Sequence, residues 1–445
     1  MRGSVMAENQ AQRPLAGLRA ALAEVPLLGW LLGMMAAVIV EHLVGAPLAR
    51  ALGLGRVPLL FGVDLLFKSP LLVPSAFAYM VLVYVLPVGS VALVTRPLAN
   101  RAAEKLMALS PVVSVVVHVA VFYGGLHSWA VLSDYRVLVV KLTLLAVMLT
   151  LSLNLVNGYM GEFSCSHPGF MALGAYSSSV LTVLAFVGSE RFGPPLLPPA
   201  LGPLLFPLAL IAGGLVASLG ALTVAIPSFR TRGDYLAIIS LAFMLVVKSL
   251  IENLEVVGGA RGFMGQPDWA GLTTVFIWAV ACVAVINSFV RSTMGKALNA
   301  VRDGEGAAEA MTVDTRRTKV VTFLFAAFWA GVAGGLYAHV MRYVNPGGFG
   351  LQKLAELLAM VYLGGLNSVI GSAAGGVGFM LFSEALRPLE IYKWIIIPVL
   401  LILVMIFRPT GLIAFREFDM VSLVRPKGLP TRRPGKGVPH VAAQD

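Results

Sequence analysis

Two polar stretches interrupt an otherwise apolar chain, and they hold most of the side chains able to do chemistry. The first runs from Met294 to Thr318, MGKALNAVRDGEGAAEAMTVDTRRT, and is the longest charged segment between apolar blocks. Its middle is rich in helix formers. Wound as a helix, it sets Leu298, Val301, Ala308 and Met311 on one face, with Arg302, Asp303, Glu305 and Glu309 on the others. An amphipathic helix of this kind lies on lipid or inserts into a groove of a partner protein. The carboxylates beside its apolar face weigh against anionic lipid.

The second stretch is Asn157 to Tyr176, NGYMGEFSCSHPGFMALGAY. Gly158, Gly161, Pro168 and Gly169 break what would otherwise be a continuous helix. A broken helix at membrane depth exposes backbone groups and persists only where protein or a water-filled path covers them. Asn154, Asn157, Glu162, Ser164, Ser166, His167 and Tyr176 are therefore candidates for lining a translocation path. The alternative is an ordinary polar turn in which His167 caps a helix end. A third segment, Arg230 to Tyr235, contains Arg230, Arg232, Gly233 and Asp234. It reads as a tight cytosolic turn whose aspartate favours the next helix N-terminus, or as a contact for a cytosolic partner.

Other chemistries find no support in the residue pattern. Six histidines are scattered over 445 residues without an H-E-x-x-H pair, so a metal centre or a membrane enzyme is disfavoured. No G-x-x-x-x-G-K-[ST] loop is present to cradle ATP phosphates, and no cofactor site is expected. Cys165 and Cys282 give no reason to expect a disulfide.

These segments need helices to hold them. Of the 445 residues 58% are hydrophobic and only 12% charged, and mean hydropathy is +0.86. A bilayer, not water, is the main solvent for such a chain. Apolar blocks at 26–46, 71–95, 111–131, 137–156, 169–187, 203–226, 233–257, 271–291, 319–343, 351–366, 371–387 and 390–407 predict an all-α polytopic bundle of about 11–12 spans. The short 351–366 block and the glycine-rich 371–387 block are the candidates for re-entrant segments.

The formal charge of +11 does not form a stripe for nucleic acid. Its clusters fall at Arg13/Arg19, Arg96/Arg101/Lys105, Arg230/Arg232, Arg291 through Lys319, and Arg408 through Lys436, on one side if both termini are cytosolic. Arg50, Arg56 and Lys68 dissent. Residues 1–135 read as an added module of about three spans with a polar break at Ala99–Lys105. Residues 136–415 form the core, and 416–445 a basic tail, disordered by composition and drawn to anionic lipid. Few carboxylates lie deep in spans, which argues against an ion-coupled secondary transporter, the main rival reading.

Six blocks in order, NGYMGEFSCSHPGFMALGAY, RTRGDYLAIISLAF, GKALNAVRDGEGAAEAM, FAAFWAGVAGGLYAH, VYLGGLNSVIGSAAGG and FRPTGL, resemble the LivM-type permeases of ATP-binding-cassette importers for branched-chain amino acids. The resemblance spans roughly residues 137–415. It implies the permease fold of such importers in a bacterial inner membrane, a heterodimer with a LivH-type second permease, two ATPase subunits and a periplasmic binding protein. It implies further that Gly295–Met311 is a coupling helix, with Leu298, Val301, Arg302, Glu305, Ala308, Glu309, Ala310 and Met311 among its contacts and Arg316, Arg317 and Lys319 as a basic anchor. One departure stands out: Glu162 and Ser166 occupy positions where the family pattern has Gln and Gly. That carboxylate could pair with His167 or alter selectivity, so an aliphatic cargo is not secured, and urea, an amide or a small organic acid stay in play. The outer loop Val256–Asp268 resembles the family's glycine-rich segment between two core spans; it reads as a flexible turn or, from its place in the topology, as a contact for a docked binding protein through Arg261 and Asp268.

Overall fold

The computed structural model of the chain describes residues 21–427, apart from 64, 189–191, 230–234, 409–410 and 416–417. The proposed turn residues Arg230, Arg232, Gly233 and Asp234 lie outside the described residues, as does the tail from 428 onward. Among the described residues nine helices are long and apolar enough to cross a membrane, and two shorter apolar helices follow. The chain divides into two compact units, one of residues 1–58, 74–129 and 419–445 and the other of residues 59–73 and 130–418.

The smaller unit is built on α1 (Leu27–Ala51), α2 (Pro70–Leu109) and α3 (Pro111–Ala130). Helices α1 and α2 pack antiparallel through glycines: a Cβ on Gly33 would come within 2.5 Å of the Val88 carbonyl oxygen. Helix α2 runs on through the polar break at Ala99–Lys105. The polar residues there are Asn, Arg, Glu and Lys set among alanines, and most of these are good helix formers in water as well as in lipid. At 40 residues α2 is about 60 Å long, roughly twice the hydrocarbon thickness, so part of it must stand outside the membrane. Its polar end gathers both ends of the described chain. Glu24 pairs with Arg96, and the Lys427 amide donates to Asn100 Oδ1 at 3.1 Å.

The larger unit continues with α4 (Asp134–Tyr159), α5 (His167–Val187), α6 (Pro199–Ser228), α7 (Tyr235–Asn253) and α8 (Leu272–Arg291). It is completed by α9 (Thr293–Asp303), α10 (Glu305–Ala310), α11 (Thr315–Met341), α12 (Leu351–Gly364), α13 (Val369–Ala385) and α14 (Glu390–Phe407). Helix α11 lies at the centre, packed on α4, α5 and α6. Lipid provides no hydrophobic force to press helices together, so close backbone approach must supply the packing. A Cβ on Gly174 of α5 would fall 2.1 Å from the Gly331 carbonyl oxygen of α11, and one on Gly334 would fall 2.0 Å from that of Met171.

Helix α12 has 14 residues, about 21 Å, too short to cross about 30 Å of hydrocarbon. It turns through Gly365 (φ 130°) and Asn367 (φ 55°) and returns as α13, backbone against backbone, because Gly364, Gly371 and Gly375 lack side chains at the crossing. At one end of the unit, β1 (Phe263–Met264) pairs antiparallel with β2 (Tyr343–Val344), tying together the loops that precede α8 and follow α11.

Candidate functional site

The loop between α8 and α11 folds as two helices, not as the single helix expected over 295–311. Ser292 caps α9 by accepting from the Gly295 amide, and Gly304, with extended backbone (φ −179°), separates α9 from α10. Asp314 caps α11 by accepting from the Arg317 amide at 2.9 Å. Gly295, Leu298 and Val301 of α9 and Ala308 of α10 are buried within the chain itself. The apolar face read from the sequence is thus mostly an anchor, and Met311, 76% exposed, is split from it. What α10 turns outward is Ala307, Glu309, Ala310 and then Met311, with Glu309 Oε1 accepting from Thr315 Oγ1 at 3.0 Å.

The glycine-rich segment 157–166 sits against this loop. It joins two helices that are each long enough to span, so it is a connection at their ends and not a break within one span. Gly161 adopts φ +76°, and a Cβ there would come 2.5 Å from Arg302 Cγ. Only glycine takes that backbone without strain and admits the α9 side chain so closely. The Arg302 guanidinium lies over the Phe415 ring, 5.4 Å from its centroid, and its Nη2 meets Asp303 Oδ1 at 2.8 Å.

Next to Gly161, Glu162 Oε1 accepts from Lys319 Nζ at 2.7 Å, and the same ammonium donates to Glu305 Oε2 at 2.9 Å. The lysine is the buried member: its side chain is 10% exposed, against 27% for Glu162 and 45% for Glu305. The ion pair that Glu162 makes is therefore with Lys319 and not with His167. Lys319 differs in this from Arg316 and Arg317, which are exposed as a basic anchor requires. Taking an ammonium out of water is costly unless carboxylates and hydrogen bonds replace its hydration, and two carboxylates do so here.

The remaining path candidates do not converge on one point. Asn157 Oδ1 accepts from the Ser164 amide at 3.2 Å, and the hydroxyls of Ser164 and Ser166 lie 2.9 Å apart, so these three form one buried polar cluster just before the N-terminus of α5. His167 is fully buried, edge-on to Phe170 at 5.7 Å. Asn154 is committed elsewhere. Its amide donates to Ser372 Oγ at 2.5 Å and to the carbonyls of Gly365 and Ser368, and its oxygen accepts from the Asn367 amide. It clamps the α12–α13 turn to α4. Tyr176 Oη donates to the Val344 carbonyl at 3.2 Å, holding the end of β2.

In the loop 256–268 the Arg261 carbonyl accepts from Tyr343 Oη at 3.0 Å, which secures the ribbon. A buried polar group the sequence did not single out lies nearby: Gln266 Nε2 donates to Ser179 Oγ at 3.2 Å. His339 Nε2 and Thr182 Oγ1 meet at 2.9 Å between α5 and α11. The pairing of Lys319 with two carboxylates was also unread. Its only sequence signal is a lysine at the very start of an apolar block, since partners 157 and 14 residues away leave no local pattern.

Comparison with known proteins bears directly on this arrangement. The family model described as the permease component of branched-chain amino acid transport systems matches residues 135–406. The high-affinity branched-chain amino acid permease protein LivM of Escherichia coli is 29% identical over 310 residues, covering 62% of this chain and 69% of that protein. The LivH permease protein of the same organism is 30% identical over 185 residues, covering 40% and 58%. A probable LivM of Methanocaldococcus jannaschii is 25% identical over 236 residues, covering 46% and 67%. No solved structure matches. Since the matched region takes in well over half the chain and holds both the loop 292–314 and the segment that packs on it, the chain belongs to the branched-chain amino acid transport permease family.

Proposed function

We propose that this chain is one of two permease subunits of an ATP-binding-cassette importer in the inner membrane, with a LivH-type permease as its partner. Two separate ATPase subunits drive it, and a periplasmic protein delivers the cargo. The cargo is a branched-chain amino acid or a related small polar solute such as an amide, urea or a small organic acid. The observation that carries this reading is the exposed face of α10. Ala307, Glu309, Ala310 and Met311 face outward while Leu298, Val301 and Ala308 fasten the loop to the chain beneath. A small helix fastened to the chain on one side and exposed on the other suits a groove in a protein that pushes on it. Similarity to both LivM and LivH relatives supports the pairing of two related permeases. The grouping of near-terminal residues 24 and 427 at the polar end of α2 supports placing both termini on one, cytosolic, side. Asn157, Ser164, Ser166 and His167 are the proposed inner mouth of the path.

The test is uptake in proteoliposomes by the full complex. ATP-dependent transport that falls about tenfold or more in Glu309→Arg, a charge reversal on the docking face, is the expected result. Uptake by this chain alone under an ion gradient, unaffected by ATP, would sink the reading in favour of a secondary transporter.

A further inference from the structure

Three segments that are remote in sequence meet at one buried ammonium. Glu162 comes from the connection between α4 and α5, Lys319 from the first turns of α11, and Glu305 is the first residue of α10. Beside this triad, Gly161 rests on the aliphatic part of Arg302, so the same connection is fitted against α9 as well. The α4–α5 connection is thus joined to α9 by a steric contact and to α10 by a charge bridge, and the bridge runs through a lysine that has little water to fall back on.

From this juxtaposition we propose that Glu162 is a positioning residue for coupling, which through Lys319 ties the α4–α5 connection to α10 so that displacement of α10 reaches the proposed inner mouth. The proposal rests on the importer reading for the source of that displacement. The physical linkage itself does not depend on any partner. Lys319 is the hub because, among the described residues, it alone is ion-paired with both carboxylates. Glu162→Gln keeps the shape of the side chain and removes its charge, leaving the Lys319–Glu305 pair in place. Lys319→Met removes the hub and leaves the two carboxylates, both partly exposed, to water.

Two measurements test it. The first uses the full chain alone in lipid nanodiscs, with spin labels on Phe163→Cys and Ala307→Cys, both exposed positions. Chain without these two cysteines serves as the check that buried Cys165 and Cys282 stay unlabelled. The distance distribution between the labels is expected to broaden in Glu162→Gln and in Lys319→Met. An unchanged distribution in both overturns the linkage. The second measures solute transported per ATP hydrolysed by the reconstituted complex. Glu162→Gln is expected to lower that ratio about tenfold, the size of coupling seen for groups in one ion-pair network, with ATP hydrolysis changed less than about twofold. In a Lys319→Met background, Glu162→Gln is expected to add no further loss, because its effect passes through the lysine. A full further loss, or equal falls in transport and hydrolysis, overturns the positioning role. If the distances broaden but the unaltered complex shows no ATP-driven uptake, the importer reading fails and the linkage stands.

Discussion

Replacing Gly174 with alanine puts a methyl group where α5 and α11 touch backbone to backbone. The new Cβ would lie 2.1 Å from the Gly331 carbonyl oxygen and 2.4 Å from its Cα, whereas ordinary contact begins at 3.4 Å. Backbone atoms cannot rotate out of the way, so the helices must separate by about 1.3 Å at this point. That separation loosens a neighbouring contact too, since Gly331 itself approaches Ala217 of α6 to within 2.6 Å of its own would-be Cβ. Overpacking of this sort costs about 1–3 kcal/mol. The gain from replacing a helical glycine, about 0.4–1 kcal/mol, offsets it only in part. Gly378 of α13 is the matched control, because a Cβ there meets nothing within 4 Å. Thermal unfolding of the purified chain in detergent should therefore shift downward for Gly174→Ala and hold or rise for Gly378→Ala. Equal shifts of the same sign for the two variants would refute the claim that backbone contact at Gly174 and Gly331 holds the core together.

Asn154→Leu should destabilise the larger unit by about 1–3 kcal/mol, because the Asn367 amide loses its acceptor, and hydrogen exchange should quicken around the α12–α13 turn and not in α5. Ser292→Ala should cost about 1 kcal/mol of helix stability, read as faster exchange in the first turn of α9 with the Asp314-capped start of α11 unchanged. Two changes in the loop should separate cleanly by thermal unfolding of the chain without partners. Val301→Asp buries a carboxylate at a position 4% exposed and should lower stability by more than about 2 kcal/mol, while Glu309→Arg on the outer face should stay within about 1 kcal/mol of the starting protein.

Much of the fold was legible because its solvent leaves a mark on every span. Apolar blocks of about 20 residues located α4 through α8 and α11, and the short 351–366 block, singled out as marginal, is the helix α12 that cannot cross. The polar break at Ala99–Lys105 ends an apolar block and leaves the helix unbroken. Polar residues end a hydrophobic block but do not end a helix, and α2 continues into water on residues that favour helix in either medium. The loop 294–318 drew attention by charge alone, yet periodicity could not say which way its apolar face turns. A face of Leu298, Val301 and Ala308 looks the same in sequence whether it meets a partner or its own chain.

By itself, then, the sequence determined the medium, the approximate spans, the helical loop with its carboxylates and the glycine-rich connection, since each follows from local composition and spacing. Tertiary structure alone decided what those segments do to one another. It turned the loop's apolar face inward, broke the loop at Gly304, committed Asn154 and Tyr176 to holding neighbouring turns, and set Glu162 and Glu305 on Lys319. A charge pair across 157 residues leaves no periodic trace. It becomes visible only when the packing of α4, α5 and α11 removes water from the lysine and leaves two carboxylates to take its place.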